Sequence, residues 1–144
     1  MSARRPAIVV HDLSHAIGAL RTAAAAGIPV TLWSAPGAAS YAGLGFLGTV
    51  FEKAAEAVPE ADHDVVIDCG GSGVLAHEAL SRGFPGVAFT GRGAMRKTLQ
   101  TIAAAEGRRL VTAGPGRRAL DLARCSDPER ESADYLANRR ASQL

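Results

Sequence analysis

The chain has 144 residues, of which 47% are hydrophobic and 21% are charged, and its formal net charge is +2. A chain of this length lies within the size range of one domain and buries roughly 68–70% of its unfolded surface on folding. The composition excludes a disordered chain. The small net charge gives no strong field for binding nucleic acid, so we expect a single globular domain without a nucleic-acid partner.

The cysteines and the start of the chain indicate a cellular compartment. Cys69 and Cys125 lie in different sequence contexts, and the sequence opens without the charged start, apolar stretch and cleavage site of a secretory signal. The apolar run after Leu20 is interrupted by Arg21 and Gly27, short of the roughly 20 apolar residues of a membrane span. We expect a reduced, cytoplasmic protein with no membrane segment.

Short apolar runs alternate with segments rich in helix-forming residues through most of the chain. Asp12 or Ser14 is available to cap the first helix, and Gly27 is typical of its end. In chain order, the pattern predicts a strand at 7–10, a helix at 14–26, a strand at 30–33, a helix at 43–58, a strand at 65–68, a helix at 72–82, a strand at 87–90, a helix at 94–106, a strand at 110–112 and a helix at 117–124.

This alternation predicts an α/β domain of about five parallel strands, spanning residues 1–125 and joined by right-handed helical crossovers. Two architectures fit it. We favour an open flavodoxin-like or Rossmann-like sheet with helices on both faces, and the alternative is half of an eight-stranded βα barrel. Residues 126–144 are polar and mixed in charge, and we expect a C-terminal tail or surface helix there.

Polar residues and glycines concentrate where the predicted strands end, at 11–12, 34–37, 68–73, 90–93 and 113–117. In both architectures ligands bind beyond the carboxyl ends of the strands, so these turns share one edge of the sheet. Two of the turns precede helices and are rich in glycine, which lets backbone amides approach an anion closely. The residues that we predict to bind a small anionic or phosphorylated ligand are Gly70, Gly71, Ser72, Gly73, Thr90, Gly91, Arg92 and Gly93.

The stretch 65–96 carries a motif of glycines and small apolar residues, formed by Gly70, Gly71, Ala79, Leu80, Gly83, Gly86, Val87 and Gly91. This motif resembles the paired phosphate-binding turns of βα barrels of the histidine-biosynthesis, tryptophan-biosynthesis and inosinate-dehydrogenase type. The resemblance covers less than a quarter of the chain, and Pro85 stands beside Gly86 where another residue is usual. It implies a phosphate-binding pair of turns.

Two other functions fit the same sequence. Asp12 and Asp68 resemble the acidic residues of a phosphoryl-accepting receiver domain, with Asp68 as the acceptor, and Thr90 resembles the switch hydroxyl. Gly114, however, stands where a receiver has lysine. A degenerate receiver-like interaction module is therefore one alternative, without magnesium-dependent phosphorylation. A structural subunit whose turns bind nothing is the other.

Four residues at the strand ends are candidates for catalysis, although the sequence defines no substrate or reaction. Asp68 is a candidate base or a fastener of the glycine turn, and Cys69 is a candidate nucleophile beside a helix N-terminus. His11 and Asp12 follow the first strand. His11 and His15 have the spacing of two metal ligands on one helix, but Asp12 is better suited to capping, so we predict neither a metal site nor a cofactor.

Self-association is expected on two grounds. The second predicted helix has an unusually apolar beginning, with Phe46, Leu47, Val50 and Phe51 close together. A half barrel would also leave strand edges exposed. We therefore expect a homo-oligomer.

Overall fold

Strands and helices alternate along the chain in the computed structural model, which describes residues 5–141. The strands are Ala7–Val10 (β1), Val30–Ser34 (β2), His63–Asp68 (β3), Gly86–Ala88 (β4), Arg109–Val111 (β5) and Leu120–Asp121 (β6). The helices are Leu13–Ala26 (α1), Ala38–Tyr41 (α2), Leu44–Ala57 (α3), Gly73–Ser81 (α4), Gly93–Ala105 (α5) and Pro128–Ala141 (α6).

The six strands form one parallel sheet in the order β5-β4-β3-β2-β1-β6. The predicted α/β class is confirmed. From β1 to β5 each strand lies beside the next one in sequence, which is the strand order of a βα barrel. The flavodoxin-like order 2-1-3-4-5 is different. The sheet therefore corresponds to the half-barrel alternative, extended by β6 at the free edge of β1.

The helices pack on one face of the sheet. A single core cluster contains buried residues of all six helices together with one alternate set of strand residues, including Ile8, Leu32 and Ile67. Side chains alternate between the two faces of a strand. The other set forms a second cluster, in which the buried residues Val9, Trp33, Val66 and Ala88 come from strands alone. We call the surface that they form the strand-only face.

The first helix begins and ends where its sequence predicts. Oδ1 of Asp12 accepts the amide of His15 over 2.8 Å, which satisfies a donor that the first turn leaves free. Gly27 ends the helix with φ of 67° and donates to the carbonyl groups of Ala23 and Ala24. Glycine reaches this left-handed conformation without steric cost.

The predicted helix at 117–124 is wrong. Residues 117–118 form a turn, and Leu120–Asp121 instead extends the sheet as β6, with Ile8 opposite Leu120. Leu122 is fully buried beside it. Pairing with the free edge of β1 and burial of Leu122 outweigh the helix propensity of this segment, which is a weak preference.

The C-terminal segment forms α6, which packs mainly against α1; residues 142–144 of the predicted tail lie outside the described part. Leu136 of α6 is buried in the main core. A Cβ atom on Gly18 of α1 would lie 2.9 Å from Cβ of Pro128, so the two helices approach closely at this glycine.

The apolar beginning of α3 is mostly core. Leu47, Val50 and Phe51 are buried, whereas Phe46 is 57% exposed. Three of the four residues that suggested self-association are therefore covered within the chain. Among residues 5–141, no helix combines the length and the hydropathy needed to cross a membrane.

Candidate functional site

The carboxyl edge of the sheet gathers the turns that the sequence singled out. At one side of this edge, Asp121 of β6 lies beside His11, which follows β1. The next turns across the sheet contain Gly37 after β2, Gly70 after β3 and Thr90 after β4. All strands are parallel, so all these turns lie at one end.

The two glycine turns are joined by a backbone hydrogen bond. The amide of Thr90 donates to the carbonyl oxygen of Gly70 over 2.8 Å. A Cβ atom on Gly71 would lie 4.0 Å from Oγ1 of Thr90, and one on Gly73 would lie 2.7 Å from Cγ of Met95. The turn after β3 and the turn after β4 therefore form one continuous surface at the starts of α4 and α5.

Several backbone amides on this surface have no protein acceptor. Ser72 caps α4 by accepting the amide of Leu75 over 3.2 Å, whereas the capping position of α5, Arg92, makes no side-chain cap bond. Within residues 5–141, no hydrogen bond from the amides of Gly71, Gly73, Gly91 or Gly93 to protein is present. Free amides at helix N-termini attract anions, because the helix dipole adds a partial positive charge.

Two arginines accompany the second turn. Arg92 is exposed and lies between Gly91 and Gly93, in the same turn as their free amides. Nε of Arg96 donates to the carbonyl oxygen of Gly91 over 2.9 Å, which holds the turn against α5. Arg96 was not named from the sequence, although its position one turn into the helix is a signal that it can reach back to the loop.

Asp68 organises the backbone around the site. Its Oδ1 accepts the amide of Gly37 over 3.1 Å and the amide of Gly70 over 2.9 Å. Its own amide donates to Oγ of Ser34 over 2.8 Å. The buried carboxylate thus links the turn after β2 to the turn after β3, which is the fastening role considered for it.

Cys69 is a core residue. The side chain is buried, and burial, together with the neighbouring Asp68 carboxylate, raises the pKa of the thiol to about 12. The reactive form of a cysteine is the thiolate, which is scarce at neutral pH when the pKa is so high. The nucleophile hypothesis for Cys69 is therefore not supported.

His11 and Asp12 are neighbours in sequence, but their side chains have different hydrogen-bond partners. Asp12 caps α1 and also accepts the hydroxyl of Ser14 over 2.8 Å. His11 precedes α1, and its ring lies edge-on to the ring of His15, with 5.8 Å between the two centroids. Nε2 of His11 contacts Oδ1 of Asp121 over 2.7 Å. Asp121 is 110 residues away in sequence, and no local signal identifies it as a partner.

The strand order separates the two aspartates of the receiver-like alternative. β2 pairs with both β1 and β3, so Asp12 and Asp68 follow strands that are not neighbours. Two strand spacings amount to about 10 Å. In the flavodoxin-like order of a receiver the corresponding strands are adjacent. The receiver-like interpretation therefore does not fit this fold.

An apolar cleft of about 500 Å³ lies away from the carboxyl edge, between α1 and α6. It is lined by Thr22, Ala26, Ile28, Leu136 and Arg140 among others. Ile28 precedes β2, so the cleft is near the amino end of the sheet and does not include the glycine turns.

No protein-family model matches this sequence, and the search of curated proteins found no match. Among solved structures, the fold is similar to that of a protein from Coccidioides immitis that is provisionally assigned as a fructose-1,6-bisphosphate aldolase. The TM-score is 0.58 at 21% sequence identity, and the match covers 74% of this chain and 44% of that one. The chain thus spans less than half of this neighbour's length. The likeness supports the partial βα-barrel fold.

Proposed function

We propose that this protein binds a small phosphorylated ligand at the carboxyl edge of its sheet, with the phosphate on the two glycine turns. The observation that carries the proposal is the joined pair of turns at 69–73 and 90–93, which carry free backbone amides and lead into the N-termini of two helices. Such an arrangement supplies several donors and a favourable field to one anion.

The charge of Arg92, the sequence resemblance and the structural neighbour all favour a phosphorylated ligand. Arg92 adds a guanidinium that can donate charge-assisted hydrogen bonds to phosphate oxygens. The resemblance of residues 65–96 to the phosphate-binding turns of βα barrels supports the same ligand class. The solved structure with a similar fold is provisionally assigned as an aldolase of a phosphorylated sugar. A sugar phosphate is therefore the ligand class we propose.

Gly71 allows a direct test of the proposal. Its φ is outside the left-handed region, and an added Cβ would meet only Thr90 Oγ1 at 4.0 Å, so we expect Gly71→Ala to preserve the fold and to add a methyl group between the two turns. We expect calorimetric titration with inorganic phosphate and fructose 1,6-bisphosphate to show binding that Gly71→Ala weakens at least about tenfold, equivalent to about 1.4 kcal/mol.

Gly114→Ala is the matched control, because Gly114 is exposed and a Cβ there meets nothing within 4 Å. This variant should bind like the parent protein. Absence of binding by the parent protein at millimolar concentrations would instead favour the structural-subunit alternative. Equal affinities for the parent and for Gly71→Ala would place the anion elsewhere.

A further inference from the structure

A histidine–carboxylate pair joins β1 to β6 at the same edge of the sheet. Nε2 of His11 is 2.7 Å from Oδ1 of Asp121, and the His11 side chain is 29% exposed. The same carboxylate oxygen accepts the amide of Ala123 over 2.9 Å, which fixes its orientation. The backbone of His11 is fixed in turn, since its amide donates to Nδ1 of His15 over 3.1 Å.

Both side chains belong to the strand-only face. Asp121 is the register partner of Val9, so the two side chains lie on the same face. His11 follows Val9 by two residues, and the alternation of strand side chains directs it to that face as well. Val66 and Ala88 belong to the strand-only face. Asp68 is two residues after Val66, and Thr90 is two residues after Ala88, so by the same alternation both are on this face. The histidine, the aspartate and the end of the glycine turns thus share one side of the carboxyl edge.

The hydrogen bonds assign the tautomer of the His11 ring. An ionised carboxylate only accepts hydrogen bonds, so the ring nitrogen that faces Asp121, Nε2, carries the proton in the neutral imidazole. Nδ1 then carries the lone pair. Within residues 5–141, no hydrogen bond engages this atom. Nδ1 is therefore a base without a hydrogen-bond partner, on a ring that lies edge-on to the ring of His15.

A purely structural role explains this pair less well. Backbone contacts already hold β6 to β1, since Ile8 is paired with Leu120 and the amide of Leu122 donates to the carbonyl oxygen of Val9 over 3.1 Å. Leu122 is fully buried and anchors the segment. The hydrogen bond between the partly exposed His11 ring and the exposed Asp121 carboxylate adds little stability in comparison. The carboxylate orients the ring, which is the arrangement that general-base histidines use.

We propose that His11 is a general base for the ligand bound at the glycine turns and that Asp121 is its positioning residue; this rests on the proposed function. Nδ1 takes a proton from a hydroxyl group or an acidic C–H group of the ligand. The electron pair of the broken bond stays on the ligand, and the ring becomes an imidazolium whose Nε2 proton remains bonded to Asp121.

The spacing suits a phosphorylated sugar. The strand that precedes His11 is two strands from the turn after β3 and three strands from the turn after β4. These separations are about 10 Å and about 14 Å along a flat sheet and less along a curved one. An extended sugar phosphate with its phosphate on the turns reaches toward His11, whereas inorganic phosphate does not.

Imidazole ¹⁵N nuclear magnetic resonance tests both halves of the proposal on the full chain. We expect neutral His11 to carry its proton on Nε2. Asp121→Ala should reduce the population of that tautomer, and Asp134→Asn, a change at an exposed position of α6, should leave it unaltered. A proton on Nδ1 in the parent protein would overturn the proposal.

Titration with two ligands separates this proposal from the one on which it rests. We expect fructose 1,6-bisphosphate to shift the His11 ring resonances and inorganic phosphate to leave them in place, while both ligands shift the amides of the glycine turns. The exposed His77 on α4 should respond to neither. Shifted amides with an unmoved His11 ring would refute the role of His11 alone. Unmoved amides would refute the phosphate site and this role with it.

Discussion

The amide of Thr90 donates a hydrogen bond to the carbonyl oxygen of Gly70 over 2.8 Å, and this contact joins the turn after β3 to the turn after β4. The residues are 20 positions apart in sequence but follow neighbouring strands, β3 and β4. The bond holds the turn before α4 beside the turn before α5. A shared anion site needs two helix N-termini that are close to each other.

Removing the charge of Arg92 should weaken ligand binding without changing stability. Arg92 is exposed at the beginning of α5, and a charge-assisted hydrogen bond contributes about 1.5–3 kcal/mol. We expect Arg92→Gln to raise the Kd for fructose 1,6-bisphosphate at least about tenfold in calorimetry. Arg124→Gln, which removes the charge of another exposed arginine outside the two turns, is the control. Equal losses in both variants would indicate a general charge effect.

Asp68 should contribute to stability through the amides that it accepts. Asp68→Ala leaves the part-buried amides of Gly37 and Gly70 without their acceptor, and each costs less than the about 1–3 kcal/mol of a fully buried donor. We expect urea denaturation to show a large decrease in the free energy of unfolding for Asp68→Ala. The decrease should be smaller for Asp68→Asn, which retains an oxygen acceptor. Equal stability of all three proteins would contradict the fastening role.

The buried thiol of Cys69 should make the protein less stable at alkaline pH. The pKa is raised from its ordinary value of 9.0 to about 12, so the unfolded chain loses this proton first as the pH rises. Stability is therefore lost progressively above about pH 9 and up to about pH 12. We expect Cys69→Ala to have a shallower decline than the parent in urea denaturation between pH 8 and pH 11. Parallel curves would show that Cys69 titrates normally.

The contact between α1 and α6 depends on the absence of a side chain at Gly18. A Cβ atom there would lie 2.9 Å from Cβ of Pro128, so Gly18→Ala forces the helices apart at a cost of about 1–3 kcal/mol. Gly45→Ala in α3 is the matched change, because its Cβ meets only Arg82 at 3.9 Å and alanine favours the helix by up to about 1 kcal/mol. We therefore expect the melting temperature to fall for Gly18→Ala and to rise for Gly45→Ala. A higher melting temperature for Gly18→Ala would show that α6 does not pack tightly on α1.

Local sequence signals predicted most of the elements around the site. The β-branched residues of β1 to β3 identify buried strands, and Asp12, Gly27 and Ser72 mark helix ends by hydrogen bonds that involve only their neighbours. Parallel strands then require the turns to share one edge, whichever architecture is adopted.

Long-range pairing determined what local signals did not show. The segment with Leu120 and Leu122 has helix-forming residues, yet it adds to β1 because that strand has a free edge and the core buries Leu122. The same pairing brings Asp121 to His11 across 110 positions. Strand order likewise depends on which strands meet in space, and it separates Asp12 from Asp68.

The most direct test of the phosphate site is the backbone ¹H–¹⁵N nuclear magnetic resonance spectrum of the full chain during titration with inorganic phosphate. We expect saturable shifts of the free amides of Gly71, Gly73, Gly91 and Gly93, with Gly27 and Gly107 at the opposite end of the sheet unmoved. Saturable shifts confined to other residues, or no shifts at millimolar phosphate, would contradict the proposed site.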